Sequence, residues 1–586
     1  MTSSLLPHAS SQEVAPAVSA ASAATGEQPA PGARTLSGTG VGQGVALGPV
    51  ARMAAPLQAP GEEPSALTPE QEHARVQESV AAVAQDLAAR GEAAGGTAQG
   101  VLQAQAMMAQ DPALDKAVRA RLGDGATAER AVHESFEQFR RRLEQAGGYL
   151  GERAADLADV AQRVIAHLSG LPAPGVPDPG HPFVLVAQDL APADTALLDL
   201  EKVLAVVTIE GGPTSHTAIL AREKGLTAVV GVAGAAELTD GETVVVDAAA
   251  SAVEISPSPE REKEVRARIA ERAAAASAPV TPGALADGTP VPLLANLGSP
   301  EGAAEAVELG AEGVGLFRTE FLFLSAETAP DVAAQRHAYQ QMLEAFPGQK
   351  VVIRLLDAGA DKPLPFLTDA DEENPALGRR GLRALNAQPE ILRGQLTALA
   401  EAAAATEADL WVMAPMVSTA EEAEAFTALA AEHGLRTAGV MVEVPSSALI
   451  ADQLLTRTGF ASIGTNDLTQ YTMAADRLLG SVAELQDPWH PAVLRLIGEV
   501  GAAGARQDRP VGVCGEAAAD PLLAVVLVGL GVQTLSMAPA AMADVRAELA
   551  RHTAAAARAA AQAALAAAGA QDAREAARAA LADGSR

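Results

Sequence analysis

Hydrophobic spacing separates a long helical stretch from the segments around it. From about Thr68 to His167, apolar residues recur every three to four positions, as in Val76, Val80, Val83 and Leu87. This period is typical of amphipathic helices. Short apolar runs on either side instead predict strands, at residues 183–186, 203–209, 228–232 and 243–246. The pattern predicts an α/β domain over residues 36–64 and 168–257, interrupted by an all-helical insert over 65–167.

The C-terminal part repeats one unit, a short apolar run followed by a polar turn and a helical segment. The runs occupy residues 291–295, 313–317, 350–356, 410–414, 437–442, 460–464, 510–513 and 532–537. Eight such units predict a (β/α)₈ TIM-type barrel, which we place at residues 279–552. The fold class is therefore α/β.

Three further segments lie outside these domains. Residues 1–35 are rich in alanine, serine and proline and are expected to be a disordered leader, because they lack the basic start and apolar core of a secretion signal. Residues 258–278 are charged and alanine-rich, which favours a linker helix. Residues 553–586 are expected to form an alanine-rich helical tail.

Composition narrows the function classes. The formal charge of -31 argues against binding nucleic acid and favours a basic protein partner, although a uniformly solvated acidic surface explains it equally well. Cys514 is the single cysteine of the 586 residues, so no intramolecular disulfide can form. No apolar run is long enough for a transmembrane segment, and we expect a cytoplasmic enzyme.

His216 stands in the segment Gly-Gly-Pro-Thr-Ser-His-Thr, just after a predicted strand and at the start of an apolar helical run. Gly211 and Gly212 allow a tight turn, and Thr214 or Ser215 can cap the helix. A helix start offers free N–H groups to anions, so the segment could present an imidazole to a phosphoryl group. A histidine that merely occupies a helix cap explains the pattern as well.

Polar residues follow the apolar runs of the predicted barrel, at the end where barrel enzymes build their active sites. They are Asn296, Arg318, Arg354, Glu443, Asn466, Asp467, Cys514 and Ser536, and the apolar Met416 stands in the same place after the run at 410–414. Glu443 and Asp467 offer hard oxygen ligands that suit Mg²⁺ completed by water and a substrate phosphate. Arg318, Arg354 and Arg477 supply guanidinium groups for phosphate or carboxylate oxygens. Together these residues predict a phosphorylated carboxylate held on magnesium.

Cys514 lies at the same end and could donate a proton to the leaving group. A buried small hydrophobic residue is the common fate of a lone cysteine, and the pattern leaves both interpretations open.

Several motifs then resemble a known family, Enzyme I of the bacterial sugar phosphotransferase system, the phosphoenolpyruvate-protein phosphotransferases. The motifs occupy residues 211–217, 315–323 (Gly-Leu-Phe-Arg-Thr-Glu-Phe-Leu-Phe), 372–378, 462–471 (Ser-Ile-Gly-Thr-Asn-Asp-Leu-Thr-Gln-Tyr) and 514–516. The resemblance runs from about residue 36 to 550. It implies a swivelling domain that carries a phosphohistidine, a helical insert that binds the small phosphocarrier protein HPr, and a barrel that binds phosphoenolpyruvate and forms a homodimer.

The resemblance also implies a role for each site residue. His216 would accept the phosphoryl group, and Cys514 would protonate the enolate carbon. Glu443 and Asp467 would bind magnesium. The residues that would hold phosphoenolpyruvate are Arg318, Arg354, Asn466, Asp467 and Arg477, with Arg380 and Arg383 nearby. Pro213 departs from the family, some members of which have arginine there.

Met107 and Met108 sit together in the helical insert, ahead of an expected helix break at Pro112. Adjacent methionines can form an adaptable docking patch, and core packing is the equally weighted alternative. The family places its phosphocarrier contact in this region.

Two other functions are compatible with part of the sequence. Pyruvate phosphate dikinase and phosphoenolpyruvate synthase share the phosphohistidine and barrel motifs but add an ATP-binding domain, and no Gly-rich nucleotide loop occurs here. A non-catalytic regulator that docks partners through the insert would need neither the nucleophile nor the metal ligands. The sequence therefore favours a phosphoryl relay from phosphoenolpyruvate through His216 to HPr.

Overall fold

The computed structural model describes residues 34–584, apart from 43, 54–56, 95, 147, 172–174, 178, 191–197, 213–214, 216, 219–220, 222–224, 325, 327, 359–363, 370–371 and 478. The fold is α/β, with one open mixed sheet, a group of helices inserted in it, and a closed parallel barrel. In the described residues no helix is both long and apolar enough to cross a membrane.

The N-terminal sheet has eight strands in the order β1-β8-β7-β3-β4-β5-β6-β2. They are β1 (Arg34–Ser37), β2 (Thr39–Val41), β3 (Val45–Arg52), β4 (Phe183–Ala187), β5 (Val203–Thr208), β6 (Ala228–Val230), β7 (Thr243–Asp247) and β8 (Ala252–Ile255). The four strands predicted after the insert are confirmed. Strand β3 ends at Arg52, so residues 57–64 lack the strands expected across 36–64.

Five helices separate β3 from β4. They are α1 (Pro69–Ala94), α2 (Gly96–Ala109), α3 (Pro112–Gly123), α4 (Ala128–Ala146) and α5 (Gly148–Ser169). Their apolar stripes form a core of their own, in which Leu87, Leu102 and Val132 are fully buried. The break before α3 arises because Pro112 starts the helix and Asp111 accepts the Ala113 N–H at 2.7 Å.

Helix α6 (Pro259–Ser277) connects the sheet to the barrel. It begins where Ser258 accepts the Arg261 N–H at 3.2 Å, with Pro259 at its first position. The helix covers most of the linker region predicted from composition.

Eight parallel strands close the barrel, and the bounds of each lie within two residues of a predicted run. They are β9 (Leu293–Leu297), β10 (Gly313–Phe317), β11 (Lys350–Arg354), β12 (Asp409–Ala414), β13 (Thr437–Val442), β14 (Ala461–Gly464), β15 (Val511–Cys514) and β16 (Thr534–Met537). The predicted run at 350–356 ends early because the chain leaves the barrel after Arg354.

Helices surround the barrel and extend its core outward. They are α7 (Ala303–Glu308), α8 (Val332–Glu344), α9 (Leu382–Ala387), α10 (Pro389–Ala404), α11 (Ala420–Glu432), α12 (Pro445–Leu449), α13 (Ala451–Leu455), α14 (Thr465–Met473), α15 (Pro491–Gln507), α16 (Glu516–Ala519), α17 (Pro521–Gly529), α18 (Met542–Leu549), α19 (Ala554–Ala566) and α20 (Ala570–Gly584). The tail is helical as expected. At Gly529 an added Cβ would lie 2.1 Å from the Ala557 carbonyl oxygen, so glycine lets α17 and α19 pack closely.

The barrel interior is filled in layers by alternate residues of each strand. On β11, Lys350 faces inward at the N-terminal end, Val352 at mid-height and Arg354 at the C-terminal end. An apolar cluster of Leu316, Val352, Met413, Met441, Phe460 and Cys514 fills the middle. Above this layer, the C-terminal ends of the strands present polar and charged groups.

Candidate active site

The candidate site lies at the C-terminal end of the barrel, where most of the predicted residues meet. Arg354 and Cys514 end their strands, and Glu443 follows β13 directly. Asn466 and Asp467 lie in the first turn of α14, and Arg477 follows that helix. Because parallel strands end at one rim of a barrel, residues far apart in the sequence are brought together here.

Arg354 is buried beneath this rim among acidic groups. Its Nη2 donates to Glu320 Oε1 at 2.7 Å, and its Nη1 lies 3.5 Å from Asp357 Oδ2. Burial opposes the charge of Arg354, but the two carboxylates hold its pKa above the ordinary value. Its buried Nε has no hydrogen-bond partner among the described residues. This N–H can therefore bind an oxygen of an anionic ligand.

Arg380 joins two carboxylates that enter the site from different strands. Its Nη2 donates to Asp357 Oδ2 at 2.7 Å and its Nη1 to Asp467 Oδ1 at 2.9 Å. The Tyr471 hydroxyl accepts a third bond from Nη1 at 3.1 Å. Burial of Asp357 opposes its negative charge, yet Arg354 and Arg380 hold its pKa below the ordinary value. The guanidinium network therefore keeps Asp357 ionised and holds both carboxylates in place.

Arg477 approaches the same carboxylate from the solvent side, with Nη1 3.4 Å from Asp467 Oδ2. Its side chain is 31% exposed, so part of the guanidinium faces the open rim. Arg318 follows β10 and is exposed, with no ion pair in the described part of the chain. Both arginines can meet an incoming anion.

Glu443 is almost fully buried between these strands. Its Oε1 accepts the Met416 N–H at 2.7 Å, and Met416 adopts a left-handed backbone conformation with φ 56°. Burial, then the carboxylates of Asp467 and Asp357, raise the pKa of Glu443 to about 8. Excess negative charge is thus concentrated at one point of the rim, where a bound cation would relieve it.

The two predicted metal ligands, Glu443 and Asp467, fit a Mg²⁺ site. No cluster of three or more His, Cys, Asp or Glu side chains suited to a metal occurs in the described residues. Mg²⁺ is commonly held by one or two carboxylates, with water and substrate phosphate completing the octahedron. Glu443 and Asp467 satisfy that pattern. Asp467 also accepts from Arg380 and Arg477, which orient it.

Cys514 ends β15 with its side chain inside the barrel, 2% exposed. The thiol donates to the Ile463 carbonyl at 3.5 Å. Burial raises the pKa of Cys514 to about 11, so the group is a protonated thiol at neutral pH. The burial fits the interpretation of a core residue, and the role as a proton donor stays a prediction.

Asn466 and Asn296 complete the rim. An added Cβ at Gly515, which has φ 115°, would lie 3.1 Å from Asn466 Oδ1, so this glycine leaves room for the amide. Asn296 Oδ1 accepts from Ser536 Oγ at 2.5 Å, and its amide donates to the Ser536 carbonyl at 3.1 Å. Asn296 and Ser536 are therefore hydrogen-bonded to each other.

His216, the predicted nucleophile, lies outside the described residues, as do Pro213 and Thr214. Its neighbours show the expected turn and cap. Gly211 has φ 93°, a backbone conformation that favours glycine. The φ of Gly212 is not positive, so its backbone conformation does not require glycine. Ser215 Oγ accepts the Ala218 N–H at 3.3 Å, and Thr217 Oγ1 donates to Asp189 at 2.9 Å. Ser215, one of the two predicted caps, does cap the chain here.

The two methionines of the insert differ in exposure. Met107 is 70% exposed near the end of α2, and Met108 is half-buried. Met107 is therefore available for contact with a partner, although Leu449 and Leu377 are exposed to a similar degree. Met108 contributes partly to packing.

Sequence reasoning missed three residues of the site, namely Glu320, Asp357 and Tyr471. Asp357 follows the β11 run directly, so the rule that selected the other residues would also have selected it. Glu320 stands two residues after Arg318, in the motif at 315–323. Tyr471 ends the motif at 462–471, but its contact depends on α14 turning its hydroxyl toward Arg380.

Family models match three stretches of the chain. These are the N-terminal domain of PEP-utilising enzymes at residues 37–153, their mobile domain at 179–251 and their PEP-binding domain at 272–554. The barrel and its charged rim lie in the last of these. The chain is thus a PEP-utilising enzyme, a class that depends generally on a metal ion.

Similarity to individual proteins shows which family of this class the chain belongs to. A phosphoenolpyruvate-protein phosphotransferase of Streptomyces coelicolor is 55% identical over 524 residues, covering 89% of this chain and 94% of the relative. Another, from Bacillus subtilis, is 36% identical over 539 residues, covering 88% and 94%. One from Haloferax volcanii is 43% identical over 466 residues, covering 77% and 81%. The chain belongs to the phosphoenolpyruvate-protein phosphotransferase family and is a phosphoenolpyruvate-dependent phosphotransferase.

Proposed function

We propose that the chain catalyses the first step of the sugar phosphotransferase system, moving the phosphoryl group of phosphoenolpyruvate to His216 and then to a histidine of HPr. The observation that supports this most directly is the buried charge network of Arg354, Asp357, Arg380 and Asp467 at the barrel rim. A dense set of oriented guanidinium groups suits an anion that bears both a phosphate and a carboxylate.

Substrate binding would use three arginines of the rim. Arg354 offers its unpartnered Nε, while Arg318 and Arg477 face the opening. Asn466 would add a neutral donor. Phosphoryl transfer depends chiefly on positioning and on charge neutralisation, both of which preorganised arginines supply.

The metal is proposed to be Mg²⁺, held by Glu443 and Asp467. When bound, it would neutralise phosphate charge and fix the phosphoryl group for in-line attack. Met416 N–H holds Glu443 Oε1, and Arg380 and Arg477 hold the two oxygens of Asp467, so the protein orients both carboxylates. Such hydrogen bonds to ligating groups fix their orientation toward a metal.

His216 would attack phosphorus, and the bond to the enolate oxygen would break. Cys514 would give its proton to C3 of the enolate and so release pyruvate. A thiol whose pKa is raised to about 11 by burial stays protonated until this strongly basic carbon forms beside it. The phosphohistidine would then pass its phosphoryl group to HPr.

Because His216 must reach both barrel and HPr, we propose that its domain moves as a body. HPr would dock on the helical insert near Met107 and Met108. We also propose a homodimer formed through the barrel, and a cytoplasmic location. The domain boundaries proposed from the sequence place the moving unit at residues 36–64 and 168–257.

The deciding test is transfer of radiolabelled phosphate from phosphoenolpyruvate to the protein with Mg²⁺. Wild type should acquire an acid-labile, base-stable label that HPr removes, and His216→Ala should acquire none. His181→Ala is the control, since His181 is exposed and lies on the same domain. A stable label in His216→Ala, or the same loss in His181→Ala, would overturn the assignment.

A further inference from the structure

A group of buried polar side chains lies behind Arg354, between the barrel wall and two of the helices around it. Thr319 follows β10, Gln335 and Tyr339 belong to α8, and Gln395 belongs to α10. Each of these four residues is at most 2% exposed. Because burying a polar group costs free energy unless it is hydrogen-bonded, the bonds within this group decide what it does. We call the four residues the wall network.

Every member of the wall network is bonded to the next. Gln395 Nε2 donates to Thr319 Oγ1 at 3.2 Å and to the Tyr339 hydroxyl at 2.9 Å. The Tyr339 hydroxyl donates in turn to Gln335 Oε1 at 3.2 Å. Gln335 Nε2 then donates to the Pro330 carbonyl at 2.8 Å. Burial raises the pKa of Tyr339, so its hydroxyl keeps the proton that it donates. The network is therefore one continuous chain of donors and acceptors.

The wall network ends on the main chain that carries Arg354 and Asp357. Thr319 Oγ1 donates to the Arg354 carbonyl at 3.1 Å, and Gln395 Oε1 accepts the Leu356 N–H at 3.0 Å. Because a main-chain N–H can only donate, the amide oxygen of Gln395 must face it, which points Nε2 at the two hydroxyls. The chain has left β11 here, so these side chains replace the hydrogen bonds that a sheet would supply.

Thr319 stands between two residues of the rim, Arg318 and Glu320. Glu320 Oε1 accepts from Arg354 Nη2 at 2.7 Å and from the Asp357 N–H at 3.2 Å. The segment after β10 therefore holds the segment after β11 at three points, namely the Arg354 carbonyl, the Arg354 guanidinium and the Asp357 N–H. Since Arg318 belongs to the first segment and Arg354 to the second, these bonds set the position of one arginine relative to the other.

We propose that Thr319 and Gln395 are positioning residues for the binding of phosphoenolpyruvate. Both are fully buried, so they act through Arg354 and not by contact with the substrate. Their bonds fix the main chain at 354–357 and thereby the direction of the Arg354 guanidinium relative to Arg318. The inference rests on the proposed binding of phosphoenolpyruvate by Arg318 and Arg354.

A positioning role and a purely structural role change different kinetic constants. If the wall network only stabilised the fold, a variant would contain fewer active molecules, which lowers the apparent kcat and leaves KM unchanged. If the network directs the two arginines, every active molecule binds phosphoenolpyruvate less well, and KM rises. KM for phosphoenolpyruvate is therefore the quantity to measure.

The first test compares Thr319→Val with Thr319→Ser in the full-length enzyme with Mg²⁺ and HPr. Valine removes the hydroxyl, whereas serine keeps it. We expect the KM for phosphoenolpyruvate to rise about fivefold in Thr319→Val, the effect of one lost hydrogen bond, and to stay near the wild-type value in Thr319→Ser. Transfer of label from phospho-HPr back to His216 does not involve phosphoenolpyruvate and should keep the wild-type rate in both variants.

Gln395→Met is the second test, because it removes the bonds to Leu356 and to Thr319 together. We expect its KM to rise about tenfold. Thr458→Val is the matched control. Thr458 is 3% exposed and donates to the Leu454 carbonyl at 3.1 Å, the same kind of bond that Thr319 makes, but it precedes β14 at the end of the barrel opposite the rim. Its KM should equal that of wild type. If Gln395→Met does not fold, the two Thr319 variants decide.

Two failures are distinguishable, with Arg354→Lys as the reference variant. If Arg354→Lys leaves the KM for phosphoenolpyruvate unchanged, Arg354 does not hold the substrate, and this inference falls together with that assignment. If Arg354→Lys raises KM but Thr319→Val does not, the wall network only supports the fold, and the positioning role is wrong. An equal rise in Thr319→Ser or Thr458→Val, or slower transfer from phospho-HPr in Thr319→Val, would also overturn the positioning role.

Discussion

At the scale of single residues, the site is a compromise between burial and charge. Arg354, Asp357 and Arg380 are each less than a tenth exposed, and each is tolerated because opposite charges surround it. Such networks add little net stability, since desolvation offsets most of the attraction, but removing one member leaves the others unpaired. Their benefit is a set of donors already oriented before the substrate arrives.

Replacing Arg380 with lysine should separate geometry from charge. Lysine cannot reach Asp357 and Asp467 together, because it lacks the planar fork. We expect kcat/KM for phosphoenolpyruvate to fall at least a hundredfold, about 2.7 kcal/mol, with a lower Tm. Arg506→Lys is the control, as this exposed arginine pairs with Asp452 at 2.6 Å on the surface. Wild-type kinetics in Arg380→Lys would show that the fork is dispensable.

Gly464 tests the metal site without removing a ligand. An added Cβ would lie 2.9 Å from Glu443 Oε2 and 3.1 Å from Met441 Sδ, so Gly464→Ala must displace the carboxylate. We expect about tenfold weaker Mg²⁺ activation, roughly 1.4 kcal/mol, recovered at higher Mg²⁺. In Gly498→Ala the nearest atom is 3.5 Å away, and activation should match wild type. An unchanged Mg²⁺ dependence in Gly464→Ala would argue against Glu443 as a ligand.

Prediction from sequence succeeded for residues at strand ends and failed for their partners. Glu443 and Cys514 were identifiable because a polar residue follows an apolar run at a place where barrels do chemistry. Glu320 and Asp357 were not selected, although both touch Arg354. Asp357 follows an apolar run and could have been selected by the same rule. The contact of Glu320 with Arg354 depends on three-dimensional packing, which the local pattern does not contain.

At the scale of elements, periodicity predicted the strands and helices well because burial imposes it. The eight barrel strands pair in sequence order, so the neighbours of each strand follow directly from the order of the predicted runs. The N-terminal sheet is different, since β3 pairs with β7 and with β4 across the whole helical insert. Hydrophobic spacing predicted its strands but could not predict this order, which depends on contacts between distant segments.

Helix α2 provides a test of the docking surface. Met107 is 70% exposed there, so its replacement should cost the fold little. We expect Met107→Lys to reduce phosphoryl transfer to HPr at least tenfold, because it removes apolar contact area and adds a charge. Labelling by phosphoenolpyruvate should remain at the wild-type rate. Leu309→Lys, on an exposed barrel leucine, should affect neither step, and equal loss in both variants would contradict a local docking role.

At the scale of the whole molecule, helix α6 is attached to both halves of the enzyme. Arg268 contacts Asp247 of β7 at 2.7 Å, which ties the helix to the sheet. Near its other end Arg272 contacts Asp544 of α18 at 2.8 Å, which ties it to the barrel. A domain that moves as a body must release one of these attachments. Helix α6 makes fewer ion pairs with the barrel than with the sheet, so we expect the barrel contact to be the one released.

Arg272→Gln should therefore shift the balance between docked and released orientations. Removing a half-buried ion pair is worth about 1 kcal/mol, a roughly fivefold change in population. We expect a larger radius of gyration in small-angle X-ray scattering and a slower first transfer from phosphoenolpyruvate, because the released form keeps His216 away from the barrel. Arg266→Gln removes only a surface pair with Glu262 on the same helix and should change neither quantity. If Arg272→Gln scatters and reacts like wild type, the restraint on domain motion lies elsewhere, and the boundary after Ser277 becomes the place to search for the hinge.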